Sequence, residues 1–130
     1  MPTVMVVDDI EMMRNTIARL LTKEGIEALA ASSGPEAISI LESRVPDVIL
    51  LDVSMPGMDG LAVLEHIQSN PIWATIPVIM LTAVSDTHTI HRAEQLGAKE
   101  YLVKATFSIA EMMDHLRRYL PGDTVAADVS

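Results

Sequence analysis

Cysteine is absent from the 130 residues, which excludes disulfides, thiol nucleophiles and thiolate metal sites. Aromatic residues are scarce, with one Trp, two Tyr and one Phe, so the core must come from aliphatic side chains and the nine methionines. Bases are few. Nine Lys and Arg face 18 Asp and Glu, and the net charge of −9 argues against direct binding of nucleic acid or anionic membrane. Hydrophobic residues reach 49%, yet no apolar run approaches the roughly 20 residues of a membrane span. The opening Met-Pro-Thr lacks a basic n-region, and Asp8 and Asp9 cut off the first apolar stretch. One soluble, cytoplasmic domain of ordinary size is expected.

Short apolar runs alternate with helical patterns along the chain. Thr3–Val7 is apolar and stops abruptly at Asp8-Asp9, as a buried strand entering a polar loop does. Met13, Ile17, Leu20 and Leu21 recur at helical spacing, and Gly25 supplies the stop. Ile26–Ala31 reads as a second strand, and Ser32-Ser-Gly-Pro35 as a turn opening a helix with Ala37, Ile40 and Leu41 inside. Asp47–Leu51 and Ile76–Leu81 lack alternation, so both faces of these strands should be covered. Helices follow at Val63-Leu64-Ile67 and Ile90-Ala93-Leu96. Tyr101–Val103 is a fifth strand, and Ser108 and Glu111 form a capping-box pattern before the last helix. Strand–helix alternation implies right-handed crossovers and a parallel sheet covered on both faces. The expected fold is α/β, a (βα)5 doubly wound open sheet of five parallel strands in the order 2-1-3-4-5, flavodoxin-like. The domain is expected over residues 1–120, with 121–130 a flexible tail or linker stub.

Ligands of such sheets bind beyond the carboxyl ends of the strands, near the switch point. The first strand delivers Asp8 and Asp9 there, the third Asp52, the fourth Thr82 and the fifth Lys104. Neighbouring first and third strands bring three carboxylates together. At ~4 Å and an effective dielectric near 20, each like-charge pair costs on the order of 4 kcal/mol. A cation is therefore required, and oxygen ligands in an open, hydrated site suit Mg²⁺, with Mn²⁺ also fitting. Asp8 and Asp9 are placed to hold metal. Asp52 ends the central strand ahead of a Gly-containing loop and is placed for in-line attack on a phosphoryl group. Lys104 supplies a movable positive charge and Thr82 a hydroxyl donor.

Asp8-Asp9, Asp52-Val-Ser-Met-Pro-Gly-Met-Asp-Gly60, Thr82-Ala83 and Tyr101-Leu-Val-Lys104 resemble the receiver domain of two-component response regulators in type, order and spacing. The similarity spans roughly Val4 to Leu120, in a length like that of single-domain chemotaxis regulators. The resemblance implies a signalling switch rather than a metabolic enzyme. Asp52 would accept phosphate from a phosphohistidine on a sensor histidine kinase or histidine phosphotransfer protein. Asp9, Asp52 and the Ser54 carbonyl would ligate Mg²⁺ directly, with Asp8 helping through water. Thr82 and Ala83 would meet the phosphoryl group, Tyr101 would turn inward behind Thr82, and Lys104 would pair with a phosphoryl oxygen. Output would appear on the fourth helix, fifth strand and fifth helix, toward an unidentified partner protein.

Two departures stand out. Ala105 follows Lys104 where the family usually has proline, often in a cis bond; a trans Lys104–Ala105 bond is expected, since cis before a non-proline costs ~3–4 kcal/mol. Ser54 and Val84 lack a carboxylate or amide to orient water, so self-dephosphorylation should be slow to moderate. Met55 and Met58 are expected to form a partner-facing apolar spot, and Trp73 a packing anchor. A receiver-fold docking module that works without phosphorylation is the main alternative. An aspartate-nucleophile phosphatase would resemble D-x-D, but Ser54 holds the second position. A flavin or nucleotide site would need a phosphate loop where Asp8-Asp9 stands.

Overall fold

Unalternating apolar runs become strands here because helices cover both faces of the sheet they form. A computed structural model of the protein describes residues 1–83 and 87–121. Val84 and residues 122–130, and with them most of the expected tail, lie outside the described residues. The elements are β1 (Thr3–Val7), α1 (Glu11–Lys23), β2 (Glu27–Ala31), α2 (Gly34–Leu41), β3 (Val48–Asp52), α3 (Gly60–Ser69), β4 (Val78–Thr82), α4 (Thr87–Gln95), β5 (Glu100–Val103) and α5 (Ile109–Arg117). All strand pairs are parallel, in the order β2-β1-β3-β4-β5. The expected flavodoxin-like arrangement is the observed one.

Strand parity divides the core in two. Met5, Val7, Ile49, Leu51, Val78 and Met80 pack with Ala37 and Leu41 of α2, Val63, Leu64 and Ile67 of α3, and Ala93 of α4. Their neighbours Val4, Val6, Val48, Leu50, Ile79, Leu81 and Leu102 point the other way, onto Ile17 and Leu21 of α1 and Met112, Met113 and Leu116 of α5. Residues of the central strands therefore have a buried destination on either face, which is why β3 and β4 are buried along their whole length.

Local signals set the element ends. The left-handed φ of +79° at Gly25 ends α1 as expected. Ser108 Oγ accepts the Glu111 N–H at 3.0 Å, the first half of the capping box. Ser33 caps α2 in the same way through the Glu36 N–H. Strand starts differ from the sequence reading by one or two residues. Asp47 precedes β3, where its carboxylate accepts the Thr3 N–H at 2.8 Å. Pro77 precedes β4 because it has no N–H to give a ladder, although its carbonyl accepts from Ile49 at 3.0 Å. No cis peptide bond occurs among the described residues, so Lys104–Ala105 is trans as expected. Trp73 sits in a 3₁₀ turn, Trp73–Thr75, and packs against the α2–α3–α4 side of the core, the anchor expected of it.

The expectation for Met55 and Met58 is corrected. Met55 is buried in the core and Met58 packs against it. Met58 also lies so close to Gly34 that a Cβ there would sit 2.8 Å from its sulfur. The loop folds inward because α2 begins with a glycine that leaves room for a long thioether. Met55→Ala should therefore cost about 2–4 kcal/mol in urea unfolding, whereas a methionine on a partner-facing surface would be nearly neutral.

Candidate functional site

The carboxyl ends of β1 and β3 bring the three acids together. One carboxylate oxygen from each of Asp8, Asp9 and Asp52 falls within 4.8 Å of the others. Asp8 and Asp52 are almost completely buried, at 0% and 1% exposure, which leaves little water to screen their repulsion. Asp8 is fixed on several sides. Its N–H donates to the Ala31 carbonyl at 3.1 Å, and its Oδ1 accepts the Ile10 N–H at 3.0 Å. Asp52 Oδ1 accepts the Ser54 N–H at 3.3 Å, while Ser54 itself is exposed.

Lys104 supplies the compensating charge. Its Nζ lies 2.9 Å from Asp8 Oδ2 and 3.4 Å from Asp52 Oδ2, with the side chain only 12% exposed. Its N–H donates to the Thr82 carbonyl at 2.7 Å, extending the β4–β5 ladder by one step so that the ammonium reaches across the site. Thr82, at the last position of β4, is 4% exposed. Ala83 beside it is exposed. Tyr101 is 43% exposed and turned away from the cluster.

Burial pushes the Asp52 carboxyl up to about 7, with the neighbouring Asp8 charge adding to it and the Lys104 ammonium and Ser54 N–H opposing it. One ammonium does not satisfy three acids. Asp8 Oδ2 and Asp52 Oδ2 lie near Lys104 Nζ without hydrogen-bond geometry, so both oxygens, like Asp9 Oδ1, are buried with no hydrogen-bond partner. Three converging, hard, unsatisfied oxygens fit a divalent cation of the Mg²⁺ type.

The sequence reading placed Asp8, Asp9, Asp52, Thr82 and Lys104 at one end of the sheet; Asp8, Asp9, Asp52 and Lys104 converge there, and Thr82 stands buried at the end of β4, its carbonyl accepting the Lys104 N–H. It left Asp59-Gly60 as a turn, and both residues do more. Asp59 caps α3 by accepting the Ala62 N–H at 2.9 Å. Gly60 lets α3 start against Asp52, because a Cβ there would stand 2.2 Å from the Asp52 carbonyl oxygen. An Asp directly before the periodic residues of α3 was the available N-cap signal. The glycine's close approach to Asp52 had none.

Residues 4–117 match the response regulator receiver domain family. Sporulation initiation phosphotransferase F of Bacillus subtilis (strain 168) is 34% identical over 118 residues, covering 91% of this chain and 93% of that protein. The DNA-binding transcriptional regulator NtrC of Klebsiella pneumoniae is 43% identical over 100 residues, 76% of this chain, but the match covers only 21% of that protein. Among solved structures, the Vibrio cholerae chemotaxis protein CheY4 superposes with a TM-score of 0.86 at 28% identity, covering 92% of this chain and 98% of that one. The receiver domain of the Francisella response regulator 1452 gives 0.84 at 30% identity, covering 92% and 96%.

The raised Asp52 carboxyl has a consequence for stability. Its folded value near 7 exceeds the ~3.9 of an unfolded aspartate, so the folded state binds the extra proton between those values. Its contribution to stability is full below about pH 4 and is lost as pH rises through 7. In EDTA, Asp52→Asn should exceed the wild type by up to about 4 kcal/mol at pH 8 and by almost nothing near pH 4. Urea titrations at the two pH values measure the difference, and added Mg²⁺ should narrow it at pH 8.

Proposed function

We propose that this chain, which belongs to the response regulator receiver domain family, accepts a phosphoryl group on Asp52 and changes its partner affinity in response. The observation that carries this reading is the buried Asp52 held between two further carboxylates and Lys104, at the strand ends where a two-component receiver domain is expected to act. In the transfer, an Asp52 carboxylate oxygen attacks the phosphorus of a phosphohistidine on a sensor histidine kinase or phosphotransfer protein. A P–O bond forms as the P–N bond breaks, and the electron pair stays on the imidazole nitrogen, which takes up a proton. Asp8, Asp9 and Asp52, with the Ser54 carbonyl, would hold Mg²⁺ or Mn²⁺. Such a cation withdraws charge from the phosphoryl oxygens and favours ionised Asp52.

The chain's own groups do the rest. Lys104 moves from Asp8 and Asp52 onto a phosphoryl oxygen, and the Thr82 hydroxyl and Ala83 N–H donate to the others. Movement of Thr82 opens room behind it for the exposed Tyr101 to turn inward. Tyr101 lines a groove of about 510 Å³ between α4, β5 and α5 with Ile90, Ala93, Leu102, Glu111 and His115. This groove lies away from the carboxylates, where an output protein could sense the change. Coupling of 1–3 kcal/mol would alter partner affinity about 5–150-fold. A docking module indifferent to phosphorylation would need neither the strained charge cluster nor Lys104 beside it. No helix among the described residues is long and apolar enough to cross a membrane, and a cytoplasmic location fits the phosphodonors proposed.

Acetyl phosphate with Mg²⁺ should phosphorylate the wild-type chain, and neither Asp52→Asn nor an EDTA-treated sample should take up label. Label on Asp52→Asn would overturn the assignment. The aspartyl phosphate should persist for minutes or longer, since Ser54 and Val84 offer no carboxylate or amide to orient a water. Decay within seconds in Mg²⁺ would contradict that account.

A further inference from the structure

Asp8 and Asp9 can serve the site only if the peptide between them is held in one orientation, because that plane sets where both carboxylates point. The ladder does not hold it, since β1 ends at Val7 and its pairing with β2 ends at Val7–Ala31. The cap of α1 does not hold it either. Ile10 occupies the N-cap position and offers no side-chain hydrogen bond. Two contacts hold it instead: Asp8 Oδ1 accepts the Ile10 N–H at 3.0 Å across the turn, and the Asp8 carbonyl accepts from Arg14 Nη1 at 2.9 Å, from the first turns of α1. The guanidinium is half-buried and acts electrostatically on Glu36 as well. Glu36 is held down chiefly by the Ser32 N–H and hydroxyl, with Arg14 contributing.

The two cations of this end of the sheet divide the work. Lys104 neutralises the acids by standing against Asp8 Oδ2 and Asp52 Oδ2, atoms that a metal would also need. Arg14 adds positive charge through a backbone carbonyl and occupies no carboxylate oxygen. From this geometry we infer that Arg14 is a positioning residue for divalent-cation binding, fixing the Asp8–Asp9 peptide so that both carboxylates face the site. The inference rests on the cation reading given above. Groups that orient metal ligands typically change metal affinity by about 10–100-fold when removed.

The test uses Mn²⁺ titrated into the full chain and followed by electron paramagnetic resonance, a readout independent of phosphorylation. Arg14→Met, which keeps the aliphatic stem and removes the donors, should weaken Mn²⁺ binding about tenfold or more. Arg14→Lys should recover part of that loss. Arg44→Met removes a surface ion pair with Glu27 far from the acids and should leave the affinity unchanged. Affinity within twofold of wild type for Arg14→Met, or an equal loss in Arg44→Met, would overturn the inference while leaving the proposed function intact. Absence of Mn²⁺ binding by the wild-type chain would overturn the cation reading and this inference together.

Discussion

Repulsion among three carboxylates in a nearly dry corner is the constraint on which the rest of the structure depends. Asp8 and Asp52 are buried as completely as the valines and leucines that precede them in β1 and β3. Such groups unfold a domain unless opposite charge is nearby and the scaffold around them is strong. The scaffold is the continuous apolar sheet, whose central strands bury every side chain. The opposite charge is Lys104, carried to the site from the end of β5, the last strand.

The corner is held in an unrelaxed condition. One ammonium lies close to two carboxylates without forming good hydrogen bonds to either, and three buried oxygens have no hydrogen-bond partner. The raised Asp52 carboxyl expresses the same imbalance as a proton affinity. A site of this kind responds to whatever brings the missing positive charge, so sensitivity to charge is a property of the resting arrangement.

Close backbone packing makes the arrangement specific. Gly60 lets the first turn of α3 rest on the carbonyl of Asp52, and Gly34 leaves space for Met58 from the same loop. The β3–α3 loop is therefore clamped at both ends by positions where a side chain would collide. The backbone around Asp52 and the packing of the loop share the same residues, so substitutions that alter one will disturb the other. The hydrogen bond from Arg14 to the Asp8 carbonyl supports the backbone on the opposite side of the site.

The sequence by itself determined the strand–helix alternation, the strand order and the placing of Asp8, Asp9, Asp52, Thr82 and Lys104 at one end of the sheet. Apolar runs, capping residues and strand-end polar groups are local patterns, and a doubly wound sheet maps them onto one edge without ambiguity. Strand starts were less legible, because whether Asp47 or Pro77 joins a ladder depends on hydrogen-bond partners in another strand. Only the tertiary structure decided that Met55 turns into the core, that Lys104 rests against Asp8 as well as Asp52, and that Arg14 holds the Asp8 carbonyl. Tyr101, placed on its strand by pattern, was shown to face outward by the same means. The physical reason is common to all four. Each depends on which atoms from distant parts of the chain come within a few ångströms, and a one-dimensional pattern carries the face a residue occupies but not the neighbour it meets there.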